Sequence, residues 1–115
     1  MTLKSNISIH PFCYMDAEGK ISIGNNVSIA HHISILSSNH TWDDLSLPIQ
    51  YNPMKKGKVI IEDDVWVGCG VRILSEVMVK SRSIIAAGSI VNKDVQSNTI
   101  VGGNSAKVLK NMELL

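Results

Sequence analysis

Aliphatic residues recur along this chain at intervals of six. From Ile61 the steps land on Val67, Ile73, Val79, Ile85 and Val91, with no polar residue among them. Four places after each stand Val65, Val71, Val77, Ser83, Ser89 and Val95, all small or β-branched. The place directly after each aliphatic is a looser column of Glu62, Gly68, Leu74, Lys80, Ala86 and Asn92. An earlier run keeps the same internal phase, with Ile23, Ile29 and Ile35 in the first column and Val27 and Ile33 in the second. A helical stripe would drift round the surface, because six is not a multiple of about 3.6. A plain strand would alternate at every second residue and reverse after about five or six. Period six instead predicts a short strand plus a corner, repeated so that three units close one triangular coil and coils stack by parallel pairing. The β-branched side chains then form ladders inside a prism, and the small second column fits the tight corners.

The phase maps the chain. Residues 7–22 are expected to form an irregular first coil, with two residues beyond two hexads before Ile21, and residues 23–40 the next. A long insertion at about 41–58 breaks the phase, after which 61–78 and 79–96 supply two regular coils. A partial coil runs from Ser97 to Gly103. Asn104 reads as the N-cap of a short helix over 105–114, whose Ala106, Val108, Leu109 and Met112 would cover the open end. The expectation is one all-β domain spanning 1–115: a parallel β-helix with a long loop insertion and a short C-terminal capping helix at about 104–115.

Composition narrows the function classes. A chain of 115 residues gives room for one small domain, and an aromatic content of 4% suits a core of thin, repeated layers. A net charge of +1, with both signs mixed along the chain, gives no footprint for nucleic acid and no polybasic patch for a membrane surface. No run of about eighteen apolar residues exists to span a bilayer. The start Met1-Thr2-Leu3-Lys4-Ser5 lacks the apolar stretch of a signal peptide. Cys13 and Cys69 lie far apart without metal-ligand spacing, as reduced thiols of a cytoplasmic protein would, so no metal is expected. Of the four histidines, His40 stands where the phase breaks and the long loop begins. His31 and His32 occupy outward places of the Ile29 hexad and read as surface residues.

The segments Ile23-Gly24-Asn25-Asn26-Val27-Ser28-Ile29 and Ile61-Glu62-Asp63-Asp64-Val65-Trp66-Val67-Gly68 resemble those of the hexapeptide-repeat acyltransferases. So do Ala86-Ala87-Gly88-Ser89-Ile90-Val91-Asn92-Lys93-Asp94 and Gly102-Gly103-Asn104-Ser105-Ala106-Lys107-Val108. With the loop Asn39-His40-Thr41-Trp42-Asp43-Asp44, the likeness is greatest to galactoside-, maltose- and nodulation-type sugar O-acetyltransferases and to those of surface-polysaccharide biosynthesis. The resemblance covers the chain from about Ile7. It implies a left-handed helix and a homotrimer with active sites between subunits. It also implies acetyl-CoA as co-substrate and a hydroxyl of a sugar or saccharide precursor as acceptor.

Acyl transfer from a thioester to a hydroxyl needs a base for the alcohol's proton, donors for the oxyanion and a groove for the CoA arm. The resemblance gives the base to His40. It assigns CoA contacts to Cys69, Ala87, Asn92 and Lys93, with Lys107 and Lys110 near the nucleotide phosphates and Trp66 beside the CoA or at the subunit interface. Ser105 stands where the family has a proline. His10 takes the place of an acceptor-binding asparagine, and Asp16 and Glu18 lie near it as candidate acceptor contacts. In the insertion, Trp42 offers a surface for a sugar ring, and Asp43 or Asp44 would accept from its hydroxyls. Three alternatives share the fold. One is a xenobiotic acetyltransferase of the streptogramin type. Another is a γ-carbonic-anhydrase-like enzyme holding zinc through three histidines. The third is a non-catalytic structural trimer.

Overall fold

The structure, a computed structural model, describes residues Met1 to Glu113. It is a left-handed parallel β-helix of triangular section, nearly all β, with short strands stacked on three faces. The first face carries β1 (Thr2–Leu3), β4 (Ile21–Ile23), β9 (Val59–Ile61) and β12 (Met78–Val79). On the second lie β2 (Ile7–Ile9), β5 (Val27–Ile29), β10 (Val65–Val67), β13 (Ser83–Ile85) and β15 (Thr99–Gly102). The third holds β3 (Tyr14–Asp16), β6 (Ser34–Leu36), β11 (Arg72–Ile73) and β14 (Ile90–Val91). Outside the prism, β7 (Ser38–His40) and β8 (Met54–Lys56) pair as an antiparallel hairpin.

Both aliphatic columns point inward. Ile61, Val67, Ile73, Val79, Ile85 and Val91 are buried, and so are Val65, Val71, Val77, Ser83, Ser89 and Val95. The two buried serines keep their hydroxyls satisfied locally, Ser83 on Lys80 O (2.7 Å) and Ser89 on Ala86 O (2.6 Å). Register gives the length of each coil. Val65 stands on Ser83, eighteen residues on, whereas Ile7 stands on Val27, twenty residues on. The two surplus residues fall between Met15 and Ile23, where Lys20 N–H closes a turn on Ala17 O (2.9 Å). The helix also begins earlier than expected, since Thr2 and Leu3 already pair with Ser22 and Ile23.

Corners repeat as faithfully as strands. A left-handed residue recurs before each strand of the second face (Asn6, Asn26, Asp64, Arg82, Asn98). From Asn26 onward its N–H bonds the coil below, as Asp64 to Asn25 O (2.9 Å) and Arg82 to Asp63 O (3.1 Å) do. Asparagine and aspartate tolerate this conformation better than most residues. Corners before the third face use Phe12, His32, Gly70 and Gly88, and the exposed Phe12 and His32 rings stack at 5.1 Å.

The C-terminal cap departs from expectation. The segment expected to be helical forms a strand, β16 (Lys107–Asn111), antiparallel to β15. Its apolar residues suit an amphipathic helix, but β15 offers an unpaired sheet edge, and backbone pairing satisfies that edge while a helix of about ten residues is marginal alone. Leu114 and Leu115, the last residues of the expected cap, lie outside the described residues. The only helical element among the described residues is one 3₁₀ turn, Ile49–Tyr51, within the insertion.

Candidate active site

The insertion leaves the prism at Ser37 and rejoins it at Gly57, whose N–H bonds Ser37 O (2.8 Å) and whose carbonyl accepts from Glu76 N–H (3.3 Å). Between these points β7 and β8 pair Ser38 with Lys56, Asn39 with Lys55 and His40 with Met54. His40 therefore closes a strand, at the outer end of a two-stranded arm. Three contacts fix the arm's root. Ser38 Oγ donates to Asp16 Oδ2, Gly19 N–H donates to Ser37 Oγ (2.8 Å), and Asn39 Nδ2 donates to Ser75 Oγ (2.6 Å). The hairpin is thus tied to the coil below through Asp16 and to the coil above through Ser75.

His40 is exposed and lines a 280 Å³ pocket with Asn39, Thr41, Trp42, Asp43 and Lys55. Beside it a second pocket, of 510 Å³, is walled by Tyr14, Asp16, Glu18, Ser38, Met54 and Lys56. Ser38 and His40 are two apart in one strand, so their side chains leave the same face of the arm. Asp16 accepts from Ser38 Oγ and, through Oδ1, from Glu18 N–H (3.0 Å). These two bonds hold its carboxyl below the usual carboxylate range. Asp44 is lowered in the same way by the Ser46 hydroxyl and N–H, but it serves the loop itself. Asn52, buried at 5% exposure, accepts from Asp44 N–H (3.0 Å). Its amide also donates to the carbonyls of Asp44, Leu47 and Pro48.

A third concavity, an apolar groove of 560 Å³, runs up the outside of the second face. It gathers Trp66, Cys69 and Ala87, three of the residues expected to contact CoA, with Ala30, His31, Gly68 and Ala86. Stacking explains the grouping. Gly70 N–H bonds His31 O (3.1 Å) and Gly88 N–H bonds Cys69 O (2.8 Å), so His31, Cys69 and Ala87 form one column at the edge between the second and third faces. Asn92 and Lys93 are not in this groove. They follow Val91, which pairs with Ile73, and so lie at the edge between the third and first faces, one coil above Leu74 and Ser75. That is the edge the hairpin leaves from. Lys107 and Lys110 project from β16 opposite Gly102 and Ile100. His10 follows β2 on the first coil, exposed, with its N–H on Ile29 O (3.0 Å), and it does not line either hairpin pocket.

Sequence reasoning did not single out Ser38, Asn52, Lys55, Ser75 or His31's place in the groove. His31 was legible from its column with Cys69, but the bonds of Ser38 and Asn52 depend on how the insertion folds back. Among the described residues no three of His, Cys, Asp and Glu gather as ligands for a metal ion. No helix among them is long and apolar enough to cross a membrane.

No family model matches the sequence. The galactoside O-acetyltransferase of Lactococcus lactis subsp. lactis is 33% identical over 93 residues, covering 76% of this chain and 42% of the relative. The chain thus spans less than half the length of this curated relative. Among solved structures, the polySia specific acetyltransferase NeuO superposes with a TM-score of 0.83 at 30% identity, covering 96% of this chain and 51% of that one. The hexapeptide-repeat acetyltransferase VCA0836 of Vibrio cholerae O1 biovar eltor, solved with acetyl coenzyme A, gives 0.70 at 28% identity, covering 92% and 68%. A six-residue interior ladder, a phase-breaking arm that ends in a histidine, and these likenesses agree: the chain belongs to the hexapeptide-repeat acyltransferases.

Proposed function

We propose that this chain transfers an acetyl group from acetyl-CoA to a hydroxyl of a sugar or saccharide precursor, with His40 as general base. The observation that carries the reading is the hairpin arm, which holds an exposed imidazole beside a pocket of sugar size and next to the edge bearing Asn92 and Lys93. The imidazole takes the hydroxyl proton as that oxygen attacks the thioester carbonyl carbon. The tetrahedral intermediate then collapses, the C–S bond breaks, and the leaving thiolate recovers the proton from the imidazolium. The products are the sugar ester and free CoA.

The apolar groove with Trp66, Cys69 and Ala87 suits a pantetheine arm, and acetyl-CoA is the ligand of the Vibrio cholerae relative. Lys93, Lys107 and Lys110 supply cations for the phosphates. The expected CoA contacts are divided between two edges of one prism. That division supports a homotrimer in which the groove of one subunit would face the histidine arm of another. Acetyl-CoA as donor makes the cytoplasm the expected location.

The test is thiol release from acetyl-CoA against a panel of sugars and amino sugars, for the wild type and His40→Ala. A sugar-stimulated rate that falls at least about a hundredfold in the variant supports the reading. Equal rates in both proteins would remove His40 as the base. Stimulation by amine acceptors alone would make the enzyme an N-acyltransferase.

A further inference from the structure

The pocket beside the hairpin carries a fixed charge pattern that bears on which acceptors it admits. Met54, the residue paired directly opposite His40, forms one of its walls, so the cavity and the imidazole share one arm. Its 510 Å³ falls within the usual span of small-ligand sites, about 300–1,000 Å³. Tyr14, 63% exposed, lines the cavity and supplies an aromatic ring of the kind that packs against the C–H face of a sugar. Asp16 is not free to swing away, because Ser38 Oγ and Glu18 N–H each hold one of its oxygens. Glu18 adds a second carboxylate and Lys56 a single ammonium, so the formal net charge of the lining is negative by one.

A sugar hydroxyl meeting this lining donates to fixed carboxylate oxygens. A sugar carboxylate meets like charge from Asp16 and Glu18, and because most of the lining is open to solvent the repulsion is screened by salt. We propose that this pocket is the acceptor site and that Asp16 and Glu18 make it selective for saccharides that carry no carboxylate. The inference rests on the reading of His40 as the base, and it adds the charge class of the acceptor. Asp16 and Glu18 act here as specificity-determining residues, with Tyr14 as the ring platform.

The experiment uses matched pairs that differ only at C6: methyl galactoside against methyl galacturonoside, and methyl glucoside against methyl glucuronoside. Binding is read by saturation-transfer NMR, and turnover by thiol release, on the wild type, His40→Ala, Glu18→Gln and Asp16→Asn. The wild type is expected to bind at least one uncharged glycoside at least about tenfold more tightly than its uronoside. That preference should survive in His40→Ala, narrow in Glu18→Gln, and shrink as salt is raised. Glu18→Gln serves as the second variant because its side chain takes no part in the hydrogen bonds that anchor the arm, whereas Asp16 does. Equal binding of the paired sugars by the wild type overturns the proposal, and so does binding of neither. If the preference appears in binding but no acceptor is acetylated, the acyl-transfer reading fails and the charge selectivity stands. If both sugars are acetylated equally well with His40 required, the selectivity fails and the acyl-transfer reading stands.

Discussion

Gly68→Ala tests whether coil spacing sets both stability and the shape of the groove. Gly68 follows Val67 at the end of β10, and its N–H bonds Ile85 O (2.8 Å) on the next coil. A Cβ added there would lie 2.7 Å from Ala87 N and 2.9 Å from Ile85 O. Both are backbone atoms in a neighbouring strand or corner, so no side chain can turn aside to make room. Relief requires the two coils to separate locally by a few tenths of an ångström, which stretches the Gly68–Ile85 bond and the Gly88–Cys69 bond beside it. Overpacking of this kind costs about 1–3 kcal/mol. Urea unfolding at two protein concentrations, to take account of any assembly, gives the change directly. The same methyl would reshape the groove wall, so KM for acetyl-CoA should rise more than kcat falls. A loss under about 0.5 kcal/mol, within the range of ordinary surface changes, would refute the claim that stacked backbone fixes this spacing.

Acid should loosen the arm at its root. In the native protein Asp16 gives up its proton more readily than in the unfolded chain, so below about pH 4 the unfolded state binds more protons and stability falls as pH drops. Its contribution is present above the ordinary carboxylate pKa and is lost as pH falls through the lowered native value. Ser38→Ala, which removes the largest cause of the lowering, should flatten the acid limb of the unfolding curve; an unchanged limb would rule Asp16 out as its source. Asn52→Ala should open the insertion by stripping partners from the Asp44 N–H and from three carbonyls, at about 1–3 kcal/mol of local stability. Limited proteolysis should then cut between Asp43 and Tyr51 much faster than in the wild type, while the far-UV spectrum of the prism holds. Equal cutting rates would mean that Asn52 does not organise the loop.

Legibility followed the range of the interactions involved. The interior ladder was readable because each buried aliphatic answers to residues one coil away, and a fixed period carries that relation through the sequence. The two surplus residues of the first coil were readable for the same reason, as a phase error before Ile23. His40 was marked by the loss of phase itself. The C-terminal segment misled because Ala106, Val108, Leu109 and Met112 satisfy a helical pattern, while the deciding partner, the free edge of β15, is tertiary. Asn92 and Lys93 were grouped with Cys69 and Ala87, yet one further hexad carries the chain round to the next edge. The hydrogen bonds of Ser38 and Asn52 left no trace in the sequence because a long insertion can return by many routes.

Apart from the second coil, which carries the insertion and runs thirty-eight residues from Val27 to Val65, coil length shortens along the chain. Twenty residues separate Ile7 from Val27, eighteen separate Val65 from Ser83, sixteen separate Ile84 from Ile100, and fourteen separate Ile90 from Asn104. Only the middle of the prism is therefore truly periodic. Tandem duplication of one eighteen-residue turn could be absorbed there without disturbing the ladder, but not at either tapered end. Such an insertion above the arm would lift Asn92 and Lys93 away from it by one strand spacing, about 4.8 Å. Under the proposed mechanism the fold would accept an extra turn that the chemistry would not, so the placing of Asn92 and Lys93 against the arm, rather than folding, would set the number of turns.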